Sequence, residues 1–255
     1  MQDQIPAVRR ALEVLRLLAA RPGPLPASAI ARELGLPRSS AYHLLSVLAD
    51  QGFVIHLPEE RRYALGVTAF EIGSAYLRTT PLERLGRPLL TRLVADIGFT
   101  AHLGVLHGRE TLYVIETRPP RAEPLVTDVG VRLPAQLTAS GRAMLAALPA
   151  NQLRALFPTA DTLVDRTGVG PRTLTALRRI LTSERKTGYA EEDGEVTTGY
   201  ASVAVAVLDH TGRPAAAVAT TFRSTAVDSA GRADIARFVR KTAATFTRRL
   251  GGQPR

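Results

Sequence analysis

The chain has 255 residues, 45% hydrophobic and 22% charged, so it can bury a substantial core and lies outside the disordered class. It contains no cysteine, which excludes disulfides, a thiol nucleophile and cysteine-ligated zinc or iron–sulfur centres. A formal net charge of +10 favours polyanionic partners, yet residues 1–78 hold nine Arg against seven acids, a surplus of only two, so charge alone does not locate a nucleic-acid site.

The first elements in the chain are helical. Ala11, Val14, Leu15 and Leu18 recur at one-face helix spacing, as do Ala27, Ile30, Ala31 and Leu34, and then Ala41, Leu44, Leu45 and Leu48. Pro22-Gly23-Pro24, Gly35 and Gly52 punctuate them. Pro37 suits the first position of the third helix, where its missing N–H is harmless. Phe53-Val-Ile-His-Leu and Tyr63-Ala-Leu read as two strands around a charged turn, Pro58-Glu-Glu-Arg-Arg. Three short helices and a hairpin outline a winged helix-turn-helix over residues 1–66.

Residues 67–78 are periodic and predict a connecting helix within a linker spanning 67–80, with a boundary at Thr79-Thr80-Pro81. Residues 81–255 then alternate helix and strand, which makes the chain α+β overall. Helices are expected over 82–98, 140–148 and 171–187 and near the C-terminus, where Ile235, Phe238, Val239 and Phe246 are periodic. Strands are expected over 101–106, 112–116, around Val203, Val205 and Val207, and over 214–221. No apolar run approaches the roughly 18–20 residues that span a bilayer. Met1-Gln-Asp-Gln-Ile lacks the basic and apolar regions of a signal peptide. The expectation is a cytoplasmic protein without a membrane partner.

The third helix carries candidate chemistry. Opposite its apolar stripe stand Arg38, Ser39, Ser40, Tyr42, His43 and Ser46, a set able to meet phosphates or base edges. Arg38, Ser39 and Ser40 occupy the N-terminal end, which a recognition helix turns toward the bases. In the hairpin turn Arg61 and Arg62 are candidates for the phosphate backbone or a narrow minor groove; a turn neutralised by Glu59 and Glu60 is the competing account.

These motifs resemble the IclR family of bacterial transcriptional regulators. Ala11-Leu-Glu-Val-Leu, Ile30-Ala-Arg-Glu-Leu-Gly-Leu-Pro-Arg-Ser-Ser, Leu44-Leu-Ser-Val-Leu, Gln51-Gly-Phe and Tyr63-Ala-Leu-Gly are similar to its DNA-binding domain. Thr138-Ala-Ser-Gly-Arg-Ala-Met-Leu-Ala, Gly188-Tyr-Ala, Glu195 and Ala201-Ser-Val-Ala-Val-Ala-Val-Leu-Asp209 are similar to its C-terminal half. His43 stands where the family commonly has Arg, and Leu208 where it often has an aromatic residue or His. The resemblance implies a winged helix-turn-helix joined by a helix to a GAF-like α/β domain that binds a small effector. It implies a homodimer or homotetramer on a pseudo-palindromic operator in double-stranded DNA, and no cofactor.

Thr138 is a plausible helix cap, and Ala139, Ser140 and Gly141 leave the helix start unobstructed, as an anion site requires. Close helix packing is the competing account of the same small residues. The resemblance further implies pocket positions for Glu192, Ser202, Ala219 and Thr221. Together they suit a hydroxylated or carboxylate-bearing metabolite. From the residues alone, Glu191, Glu192, Asp193 and Glu195 admit three readings: an exposed acidic loop, a pocket polar group, or general acid/base chemistry in an enzyme. A non-sequence-specific architectural DNA binder is a further alternative. His102, His107 and His210 do not form a metal-ligand spacing on one element, and no metal site is expected. Arg232, Arg237, Arg240, Lys241, Arg248 and Arg249 give the last helix a basic face, read as solvated or as facing an acidic neighbour.

Overall fold

A computed structural model describes residues 6–79, 81–123 and 125–254. The chain divides into two compact units, residues 1–80 and 81–255.

In the first unit the periodic stripes become α1 (Pro6–Ala19), α2 (Ala27–Glu33) and α3 (Arg38–Asp50). Val14, Leu18, Ile30, Leu45 and Leu48 close into one core with Val54. Pro37 is the N-cap rather than the first helical residue: its ψ of 141° is extended, so α3 starts at Arg38. β2 (Val54–Leu57) and β3 (Arg62–Leu65) form the expected hairpin. A third strand, β1 (Leu25–Pro26), pairs with β3. Two residues, one of them proline at a sheet edge, leave no periodicity to read. Arg61 closes the hairpin turn in the left-handed region at φ 52°. α4 (Val67–Thr79) follows.

The second unit is built on a six-stranded antiparallel sheet in the order β6-β5-β4-β9-β8-β7. Its strands are β4 (Thr100–His107), β5 (Glu110–Thr117), β6 (Arg132–Pro134), β7 (Ala190–Asp193), β8 (Tyr200–Leu208) and β9 (Pro214–Arg223). α5 (Pro81–Ile97) and α9 (Ser229–Arg249) pack on the sheet through Leu90, Val218, Val239 and Phe246. A separate alanine-rich cluster joins α6 (Ala139–Ala147) to the sheet through Ala204, Ala217 and Ala219. α7 (Ala150–Leu156) and α8 (Leu174–Thr187) support α6. No helix among the described residues is long and apolar enough to cross a membrane.

Three elements of this unit escape the sequence pattern. β6 has three residues, and α7 buries only Leu153. β7 reads Ala-Glu-Glu-Asp, a poor strand sequence that its partner β8 holds in place. α8 begins at Leu174 rather than 171, because Thr173 caps it by accepting from Ala176 N–H at 3.1 Å. It ends at Gly188, whose φ of 78° is left-handed.

Gly141 allows α6 to approach the chain closely. A Cβ there would meet the Ala135 backbone at 2.2 to 2.6 Å. Backbone cannot rotate aside as a side chain can. Gly141→Ala is expected to destabilise the protein by about 3 kcal/mol, measured by denaturant unfolding; a change under about 0.5 kcal/mol would mean that the approach is not a constraint.

Candidate functional site

The helix period decides what α3 presents. Ala41, Leu45 and Leu48 are buried, while Arg38, Ser39, Ser40, Tyr42, His43 and Ser46 are exposed on the other side. Tyr42 is 55% exposed, a large aromatic turned to solvent beside a row of hydroxyls. No acid occupies the first turn to oppose an incoming phosphate. The wing arginines differ from one another. Arg62 donates to the Pro24 carbonyl at 2.9 Å and so ties β3 to the segment before β1. Arg61 projects from the turn that its own N–H closes onto Pro58.

In the second unit strand register assembles a polar row. Glu192 on β7 pairs with Ser202 on β8, and Ser202 pairs with Thr221 on β9. Ser202 Oγ donates to Glu192 Oε1 at 2.7 Å and lies 2.9 Å from Thr221 Oγ1. These three side chains line a cavity of about 70 Å³ with Tyr113, Thr138 and Thr127. Glu123, Tyr200 and Arg223 meet nearby: Glu123 Oε2 accepts from Tyr200 at 2.7 Å and from Arg223 at 2.6 Å. Thr127 reaches the buried His102 at 3.3 Å. Burial holds His102 neutral, with a pKa lowered to about 3.

The other predicted residues stand behind the cavity. Ala219 pairs with Ala204 one row further along the sheet and packs under α6. Ala139, Ser140 and Gly141 are buried at the start of α6. Thr138 Oγ1 accepts from Gly141 N–H at 2.9 Å, so one helix-start donor is already satisfied by the chain itself. None of these four residues lines the cavity.

The acidic run is not a loop over 191–193. The period of two in β7 separates its acids. Glu192 points inward and is 4% exposed. Glu191 and Asp193 pair with Arg232 at 2.6 and 2.7 Å. Part of the basic face of α9 is therefore neutralised within the chain.

Arg142 supports this site and does not stand out from sequence. It is 2% exposed, lies 2.9 Å from Glu195 and 3.4 Å from Glu184, and donates to the Glu191 carbonyl at 2.9 Å. The available signal was a cation inside an otherwise apolar helix, Ala-Ser-Gly-Arg-Ala-Met-Leu, upstream of several acids. Burial raises all three neighbouring carboxyls. Glu192 is pushed up to about 7 against the opposing pull of Ser202 and Arg142. Glu184 is pushed up to about 7 against Arg142, and Glu195 is raised as well.

A helix-turn-helix with a polar exposed helix, followed in the chain by a domain enclosing a hydroxyl-lined cavity, describes a class of DNA-binding regulators. The IclR helix-turn-helix domain matches residues 7–58, and the C-terminal domain of bacterial transcriptional regulators of the IclR type matches residues 74–248. The chain belongs to the IclR family of DNA-binding transcriptional regulators. It is 31% identical over 250 residues to the HTH-type transcriptional regulator XynR of Escherichia coli (strain K12), covering 97% of this chain and 98% of that protein. It is 32% identical over 253 residues to the glycerol operon regulatory protein of Streptomyces griseus, covering 98% of each. The crystal structure of the Thermotoga maritima IclR matches with a TM-score of 0.73 at 26% identity, covering 97% of this chain and 100% of that one.

The raised carboxyl of Glu192 has a signed consequence. The folded protein binds this proton more tightly than the unfolded chain, so the group stabilises the fold at low pH and loses that contribution as pH rises from 4.5 to about 7. The stability of the wild type minus that of Glu192→Gln is expected to fall across that window and to level off above it. Denaturant midpoints at several pH values check this; a difference that rises with pH would contradict it.

Proposed function

We propose that the chain regulates transcription as a homodimer or homotetramer on a pseudo-palindromic operator, and that a small hydroxylated, carboxylate-bearing metabolite in the Glu192–Ser202–Thr221 cavity alters that binding. The polar row across three strands carries this reading. Hydroxyls can accept from or donate to a ligand. Glu192, with its pKa near 7, can donate a hydrogen bond to a ligand carboxylate when protonated or accept one from a ligand hydroxyl. A cavity of about 70 Å³ is small beside the roughly 300–1,000 Å³ of most ligand sites, which favours a small effector.

In this reading α3 enters the major groove with Arg38, Ser39 and Ser40 foremost, and Tyr42 and His43 follow along the helix. Arg61 and Arg62 approach the phosphate backbone from the wing. Two copies on a two-fold axis would set the half-sites about one helical turn apart. Phe70 on α4 is 74% exposed and Val67 65%, apolar surface that suits burial against a second copy. The effector shifts DNA binding by its difference in affinity for the two states, and by no more. The chain works in the cytoplasm, where its DNA and metabolites meet, as a regulator rather than an enzyme.

Fluorescence anisotropy with operator DNA tests both halves. Arg38→Ala is expected to weaken binding and to lower the salt slope by about 1. Thr221→Val is expected to leave DNA affinity unchanged and to raise the effector concentration needed for a response about tenfold. Unchanged isotherms in both variants would overturn the reading. Binding that shows no preference for operator over random DNA would point instead to an architectural role.

A further inference from the structure

The second unit contains a larger cleft, of about 290 Å³, that shares no lining residue with the Glu192 cavity. It lies at the sheet edge. β7 pairs with Ala201 to Ala204 of β8 and no further, so β8 runs on past its neighbour. The C-terminal parts of α6 and α8 and one side of α9 close around this stretch, which β7 leaves unpaired. Methyl groups make the walls: Ala143, Ala147, Ala190, Ala204, Ala206 and Ala244.

Charge in the cleft is unevenly satisfied. Arg185 Nε donates to the Ala146 carbonyl at 2.6 Å, and Arg240 Nη2 donates to the Thr187 carbonyl at 2.7 Å. Neither guanidinium is paired with a carboxylate among the described residues, unlike Arg232 or Arg142 in the same unit. Glu184 also lines the cleft, and its side chain is only 10% exposed. One of its oxygens accepts from Glu191 N–H at 3.4 Å, while Oε2 has no hydrogen-bond partner among the described residues. A buried acceptor without a partner is uncommon in a folded protein.

We infer that this cleft is a second ligand site, for a small organic monocarboxylate with an apolar body. The carboxylate meets the free N–H groups of Arg185 and Arg240, whose planar forks suit it. The apolar body lies on the alanine walls. A hydroxyl or amino group on the ligand would satisfy Glu184 Oε2. Capping of the α6 and α8 carbonyl ends would account for one N–H of each arginine. It accounts neither for the hollow between them nor for the unpaired oxygen. Because Arg142 joins Glu184 to Glu195, which in turn donates its N–H to Glu192, an occupant would act on the same buried charges as the effector cavity.

The test is a titration of the full-length protein, labelled at alanine methyls, with butanoate, hexanoate and 3-phenylpropanoate, read by NMR. The expected result is a saturable shift of the Ala143, Ala147 and Ala244 methyls for at least one acid. The double variant Arg185→Gln/Arg240→Gln should weaken that response about tenfold, and Ala147→Leu should abolish it by filling the cleft. All three positions lie outside the buried core, so folding is expected to be preserved. A response weakened by Thr221→Val and left intact by the double variant would place the acids in the Glu192 cavity and overturn the inference. So would the absence of saturation by about 10 mM, or undiminished binding in the double variant.

Discussion

Arg142 brings a full charge into a helix start whose other buried residues include Ala139, Ala143, Met144 and Leu145. Taking a guanidinium out of water is costly, and the cost is offset only when carboxylates and carbonyls surround it. Here two glutamates and one main-chain carbonyl do so, contributed by α8, by β7 and by the turn after β7. The cation therefore pins three segments to α6. It also leaves more carboxylate than it neutralises. Burial above all, and repulsion from neighbouring acids after it, keeps Glu184, Glu192 and Glu195 above the usual carboxylate range.

The Glu192–Ser202–Thr221 cavity follows from this arrangement and from strand register. β7 is held at the sheet edge with Glu192 inward and Glu191 and Asp193 outward to Arg232. A slip of one residue would exchange those faces and place two acids inside. Small residues complete the geometry. Alanines on β8 and β9 let α6 lie close to the sheet, and Gly141 lets its first turn lie on Ala135. What remains open beneath that turn is the hydroxyl-lined space.

The DNA-reading unit was largely legible in the sequence, because its chemistry is local. Stripes at helical spacing fixed the buried side of α3, and the residues left over form its exposed side. The effector domain was legible through longer periodic runs such as α9 and the alternating β8. It was illegible at β6 and β7, which are short and gain their stability from partners far along the chain. Among the site residues, the resemblance to a family pointed to Glu192, Ser202 and Thr221, which register brings into one row. Ala139, Ser140, Gly141 and Ala219 lie instead in the packing behind that row. Arg142 was hidden because burial of an arginine depends on acids more than 40 residues away, which no local pattern announces.

The central claim is that a buried, under-neutralised carboxylate cluster sets the chemistry of the Glu192–Ser202–Thr221 cavity. Its most direct test is an NMR titration of the Glu192 side-chain carboxyl carbon in the intact protein. The account predicts a midpoint near 7. A midpoint at the ordinary glutamate value near 4.5 would show that the carboxyl is solvated and would contradict it.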